Sequence, residues 1–195
     1  MIHLDNILRA LDAHTPTIAP NPGSAVAAIL QGAETPHLLF IKRARVNGDP
    51  WSGDIAFPGG RVEPQDTGLQ AAAERETLEE IGLDLQQGHY LGRLDDLVTQ
   101  TLGVQVAAFV YTVESESDFR LSPEVADAFW QPLSDLADPQ RHRTHTFPHR
   151  GFPRRLPAID LLGPDKPLLW GITYRFVAQL MRLAGQPLPE LADQQ

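Results

Sequence analysis

Leu4, Ile7, Leu8 and Leu11 recur at helical spacing and predict a short amphipathic helix over residues 3–11. A proline-rich loop follows at 15–23. The apolar runs at 25–30 and 37–41 then read as two strands joined by a turn containing Gly32. Residues 47–53 form a Gly/Pro/Asp loop, and Ile55-Ala56-Phe57 runs into the break Pro58-Gly59-Gly60. Helical periodicity returns over 69–81 and stops at Gly82. Strands are expected at 91–98, 104–113 and 126–130, with a short helix at 133–137. A second long helix is expected over 168–183. The segment 141–155 is polar and rich in Arg and His. Strands first, a central helix, further strands and a closing helix predict an α/β fold, a mixed sheet with helices packed on it.

Composition narrows the function classes. The 195 residues suit one domain, and 42% hydrophobic with 21% charged residues is ordinary for a globular chain. There is no cysteine, so disulfides, thiolate metal sites and a cysteine nucleophile are excluded. Net charge is −9, with only two lysines, Lys42 and Lys166. That balance argues against nucleic acid as a partner. A small phosphorylated ligand held through metal ions or local arginines remains compatible. No apolar run reaches the ~18 residues of a membrane span, and Met1-Ile2-His3-Leu4-Asp5 has no signal-peptide character, so a cytoplasmic protein without membrane contact is expected.

The chemistry concentrates in Arg75-Glu76-Thr77-Leu78-Glu79-Glu80-Ile81-Gly82-Leu83. At ~100° per residue Glu76, Glu79 and Glu80 share one face, and Ala71, Leu78 and Ile81 are expected to be the buried one. Glu74 falls near that apolar side. Like charges at three- and four-residue spacing repel, and the last turn of a helix disfavours anions. Each penalty is about 0.3–1 kcal/mol, which Arg75 offsets only in part through Glu79. A divalent cation turns the repulsion into a binding site, and Mg²⁺ takes carboxylate oxygens while leaving room for water and substrate phosphate. Gly59 and Gly60, where backbone must turn sharply or approach a ligand, offer a carbonyl to the same ion.

With these residues in place the chain resembles a Nudix hydrolase. Its box is a glycine, five residues, Glu, seven residues, then Arg-Glu-aliphatic-x-Glu-Glu-x-Gly-aliphatic. Thr77 stands at one aliphatic position, Asp66 stands where the first Glu is expected, and the spacing to Arg75 is one residue longer. The resemblance implies an α/β/α sandwich with a mixed sheet and a loop–helix–loop box at about 59–83. It implies a single domain over 1–195, with the helices at 3–13 and 168–184 as extensions. It further implies Mg²⁺ or Mn²⁺ held by Glu76, Glu79 and Glu80 with Gly60, and structural support from Arg75, Gly82 and Asp66. Glu76, Glu80 and, from a later loop, Glu124 are the implied catalytic carboxylates, with Asp95, Asp96 and Asp127 as weaker alternatives for the base. The implied substrate is a nucleoside diphosphate linked to another group.

The coenzyme A branch of that family carries a second signature upstream. Leu39-Phe40-Ile41-Lys42-Arg43-Ala44, then Gly53, then Phe57-Pro58-Gly59-Gly60 match it in part. The second arginine is absent at its place, Gly48, where Arg45 is a substitute. Leu169-Trp170-Gly171-Ile172-Thr173 is a further echo. Read plainly, Trp170 anchors the last helix and Thr173 helps to cap it. Arg43, Arg45, Arg150 and Arg154 are candidate substrate contacts, the last two from a segment that otherwise reads as an exposed hairpin. The same chemistry on ADP-ribose, NADH, dinucleoside polyphosphates or nucleoside triphosphates is the alternative, and a catalytically silent nucleotide sensor is a second. The apolar stretches 4–11 and 104–113 are candidate surfaces for a homodimer.

Overall fold

The computed structural model describes residues 2–47, 51–99, 103–114, 118–147 and 153–190. Its main sheet is mixed. Strands β1 (Ser24–Gln31), β2 (His37–Arg43), β3 (Ile55–Ala56) and β4 (Gly59–Arg61) precede helix α2 (Leu69–Ile81), and α1 (Leu4–Asp12) precedes them all. After α2 come β5 (His89–Arg93), β6 (Leu97–Val98), β7 (Gln105–Thr112) and β8 (Val125–Pro132). A short α3 (Leu133–Leu136), the strands β9 (His142–Phe147) and β10 (Arg154–Ile159), and α4 (Gly171–Leu183) complete the order. β1 runs parallel to β7 and antiparallel to β2 and β4, and β8 lies antiparallel along β2.

Alternation along β1 builds both layers of core. Ala25, Ala27 and Ile29 join Ala107, Phe109 and Tyr111 of β7 under Ala72, Ala73 and Ile81 of α2. On the other face, Ala28 and Leu30 join Ala108 and Val110 against Ile7 and Leu11 of α1 and Phe176, Val177 and Leu180 of α4. The result is the α/β/α sandwich. The stretches considered for a dimer are therefore largely spent within the chain, since Ile7, Leu11 and the centre of β7 are buried in its own core. Among the described residues, no helix is long and apolar enough to cross a membrane.

Two expectations need correction. The buried face of α2 is Ala72, Ala73, Thr77, Glu80 and Ile81, whereas Leu78 is half exposed. Thr77 is buried because its hydroxyl donates to the Ala73 carbonyl at 2.7 Å, a bond within the helix that satisfies its polar atom. In the segment 141–155, read from sequence as an exposed hairpin, β9 pairs antiparallel with β10 in a sheet of its own. The last helix begins at Gly171 and not at residue 168. No side chain caps it, and Trp170 is anchored instead by its indole N–H, which donates to Asp54 Oδ1 at 3.2 Å.

Glu74 also finds its reason. The Tyr111 hydroxyl donates to Glu74 Oε1 at 2.6 Å, and Gln70 Nε2 donates to the same oxygen at 3.0 Å. A charge-assisted bond from the sheet thus fixes α2 about its own axis. That rotation decides where Glu76 and Glu80 point.

Candidate active site

The site is built where β4 meets α2. Gly59 and Gly60 pair with Val26 and Ala25 of β1, which brings the β4 backbone beneath the helix. Glu80 turns inward, and its Oε2 accepts the Gly59 N–H at 2.9 Å. Glu76 lies directly over Gly60, so closely that a Cβ there would collide with its carboxylate. Arg75 clamps the arrangement. Its Nε and Nη2 donate to the two oxygens of Asp66 at 2.9 and 3.0 Å, and Nη2 also donates to the Arg61 carbonyl. Nη1 lies 3.1 Å from both Glu76 and Glu79. The Arg75 guanidinium holds the Asp66 carboxyl below its usual range.

The C-terminus of α2 carries the third carboxylate into place. Gly82 takes the left-handed conformation (φ 73°) and donates back to the Leu78 carbonyl, closing the helix. Two carbonyls that the helix leaves open are taken by the loop before β8. Arg120 N–H donates to Ile81 and Ser122 N–H to Glu80, at 2.9 and 2.8 Å. Glu124 follows at the surface, and its carbonyl accepts the Ala44 N–H at 2.7 Å.

Electrostatically the carboxylates act on one another. Burial is the largest influence on Glu80 and pushes its pKa up to about 7. Gly59 N–H and Arg43 oppose the rise, while Glu76 and Glu124 add to it. Glu76 is raised by burial, held back by Arg75, and pushed further by Glu79 and Glu124.

The NUDIX domain profile matches residues 21–155. The chain belongs to the Nudix family. Human mitochondrial coenzyme A diphosphatase NUDT8 is 31% identical over 193 residues, covering 94% of this chain and 80% of that protein. An uncharacterized protein of Schizosaccharomyces pombe is 32% identical over 161 residues, covering 68% of this chain; the chain spans about half, 49%, of that relative's length. Among solved structures, a MutT/nudix family protein from Enterococcus faecalis aligns over 93% of this chain and 74% of its own, with a TM-score of 0.50 at 17% identity, a likeness of fold.

Nudix hydrolases generally use divalent metal ions such as Mg²⁺ or Mn²⁺. The donor set here fits one, because hard oxygen donors that raise one another's pKa are what a hard dication neutralises. The expected ligands are not gathered, however. Among the described residues no group of three or more acidic or histidine side chains stands as a ready cage. Glu79 is drawn outward to Arg75 and is 59% exposed, while Glu80 is drawn inward to Gly59, and repulsion favours that separation.

Of the other candidates, Arg43 ends β2 beside Val125 and acts on Glu80, and Arg45 lies against Gly53. Arg154 opens β10 opposite Phe147, in the separate hairpin, and Arg150 lies outside the described residues. Asp95 is occupied by the Thr17 N–H, and Asp96 by Arg93 and the Ala19 N–H. Missed from sequence were Asp54, which joins β3 to Trp170, and the Ser122 N–H that seats the Glu124 loop. Serine before proline signalled a turn but not its target.

The raised pKa of Glu80 makes a prediction for metal-free protein. In the unfolded chain the group titrates near 4.5 and in the folded chain near 7. Between those values the folded protein keeps a proton that the unfolded chain has shed. Its contribution to stability is therefore full below 4.5, declines as pH rises, and levels off above 7, by on the order of 3 kcal/mol. Asp66 acts oppositely, losing its contribution only as pH falls below its ordinary value of 3.8. With chelator present, melting temperature should fall from about pH 5 to about pH 8, and Mg²⁺ should restore more at the higher pH. Equal Mg²⁺ effects at both would count against carboxylate ligation.

Proposed function

We propose that the chain is a metal-dependent diphosphatase that cleaves coenzyme A or acyl-CoA to 3′-phospho-AMP and 4′-phosphopantetheine or its acyl form. The diphosphatase reading is carried by one observation: Glu80, buried under the Gly59 N–H, shares its field with Glu76 and Glu124. The choice of coenzyme A is supported by the likeness to NUDT8 across nearly the whole chain and by the partial upstream signature from Leu39 to Gly60.

In this reading Glu76, Glu79 and Glu80, with the Gly60 carbonyl, would hold Mg²⁺ or Mn²⁺. The bound ion supplies charge neutralisation for the diphosphate and a more acidic water. Arg75 and Asp66 hold Glu76 over Gly60. Gly82 ends the helix so that the Ser122 loop can dock and present Glu124. That exposed carboxylate takes the proton of the attacking water, as the water oxygen bonds to phosphorus and the bridging P–O bond breaks. Arg43, which ends β2 and acts on Glu80, would face the developing charge.

The test is a panel. Purified protein with Mg²⁺ or Mn²⁺ meets coenzyme A, acetyl-CoA, ADP-ribose, NADH, diadenosine polyphosphates and nucleoside triphosphates, with Glu76→Gln as control and products resolved by chromatography. Highest kcat/KM on coenzyme A or acetyl-CoA is expected. Preference for another diphosphate would overturn the substrate choice and leave the metal chemistry standing. No turnover on any of them would overturn both.

A further inference from the structure

A groove of about 380 Å³ lies between the hairpin β9–β10 and the segment leading into α4. That volume is at the lower end for small-molecule sites and admits a phosphoryl group with a heterocyclic ring. One wall is a single face of β9. Arg143, His145 and Phe147 stand at alternate positions and project together, as strand geometry requires. Lys166 and Trp170 line the groove from the segment that leads into α4. The Phe147 and Trp170 rings are stacked, with centroids 4.0 Å apart and planes at 12°, and His145 meets Phe147 edge-on at 4.7 Å. The wall is fixed in position, since the Trp170 indole is bonded to Asp54.

In a chain of net charge −9, the groove's lining is balanced, with two cations and two carboxylates. One of the chain's two lysines lines it, beside Arg143. Arg143 is oriented by Asp160 at 2.8 Å and stays about half exposed. Two carboxylates also line the groove: Asp54 is engaged by Trp170, and Asp165 precedes Lys166 in a turn. The groove also adjoins the carboxylate site. Asp54 accepts the Arg43 N–H through its carbonyl at 2.9 Å, and Arg43 acts on Glu80. A ligand whose diphosphate lies at Glu76 and Glu80 therefore has a neighbouring subsite that offers Lys166 and Arg143 beside an aromatic wall.

We infer that this groove binds a phosphomonoester carried on the nucleoside half of the substrate, with Lys166, Arg143 and His145 as its contacts and the Phe147–Trp170 pair as its wall. Lysine and arginine suit a dianionic phosphate as donors, and the stacked rings offer a nucleobase an apolar face. This inference deepens the coenzyme A reading, because coenzyme A carries such a phosphate and dephospho-CoA does not. It moves phosphate recognition from Arg150 and Arg154 to the groove.

Lys166→Ala is exposed and removes no described hydrogen bond, so folding should be unaffected. KM for coenzyme A should rise about tenfold while kcat/KM for dephospho-CoA stays unchanged; Lys166→Arg should retain most of the discrimination. Calorimetry without turnover gives a second readout. The parent should bind adenosine 3′,5′-bisphosphate about tenfold more tightly than AMP, and Lys166→Ala should erase the difference. Equal binding of the two nucleotides by the parent, or equal weakening of both by Lys166→Ala, overturns the subsite. If coenzyme A is not cleaved but the bisphosphate preference is present and lost in Lys166→Ala, the substrate reading fails and the subsite stands.

Discussion

Glu80→Gln should give a protein at least as stable as its parent at about pH 8 without divalent cation, yet about a thousandfold slower in hydrolysis. The two halves of that result have separate causes. Glu80 is buried, and its ionised form is disfavoured by burial and by the Glu76 and Glu124 charges. Glutamine keeps an oxygen that can accept the Gly59 N–H and removes the charge, so above pH 7 the substitution relieves an electrostatic cost. On the proposed metal-dependent reading, in contrast, the transition state loses a ligand to the ion that would balance the diphosphate. A thousandfold corresponds to about 4 kcal/mol, within what such charge stabilisation supplies. Thermal melts in chelator and initial rates with Mg²⁺ check both halves. Activity and stability falling together would make Glu80 a structural residue, and unchanged activity would remove it from the metal set.

What the sequence reveals here depends on how local the determining physics is. Helix α2 lies at the expected 69–81 with its stop at Gly82, because periodicity and a left-handed terminator are both local. Arg75 reaching Glu79 is local in the same way. Which face is buried is not. Hydrophobicity ranks Leu78 above Thr77 and Glu80, yet Leu78 is exposed, since the sheet bond from Tyr111 to Glu74 sets the rotation and Thr77 satisfies itself within the helix. Residues 74 and 111 are too far apart for any periodicity to link them. The hairpin β9–β10 was legible only as the plain reading of a polar segment, without its strand bounds. A two-stranded ribbon apart from the main sheet, with only His142, Ala158 and Ile159 buried, need not alternate apolar and polar, so periodicity marks no strand there. Three glutamates at helical spacing raised the expectation of a metal site, but their divergence depends on Gly59 drawing one inward and Arg75 drawing another out.

The adjacent glycines of β4 should fail in different ways when replaced. Gly59→Ala should cost about 3–5 kcal/mol and leave little folded protein at 37 °C. Its φ is 146°, where side chains are strained, and a Cβ would strike the Ala25 carbonyl oxygen and the Val26 Cα. Both obstacles are backbone of the central strand, to which Gly59 is itself paired, so neither can yield without parting β4 from β1. Strain of about 1–3 kcal/mol and overpacking of similar size together approach the ~5–15 kcal/mol by which a domain is stable. A Cβ on Gly60 strikes only the end of the Glu76 side chain, which can swing. Gly60→Ala should therefore stay folded and lose activity by displacing that carboxylate. Urea unfolding of both variants beside initial rates decides the matter. A Gly59→Ala melting temperature within a few degrees of the parent would show that β4 is not held against β1 as the pairing describes.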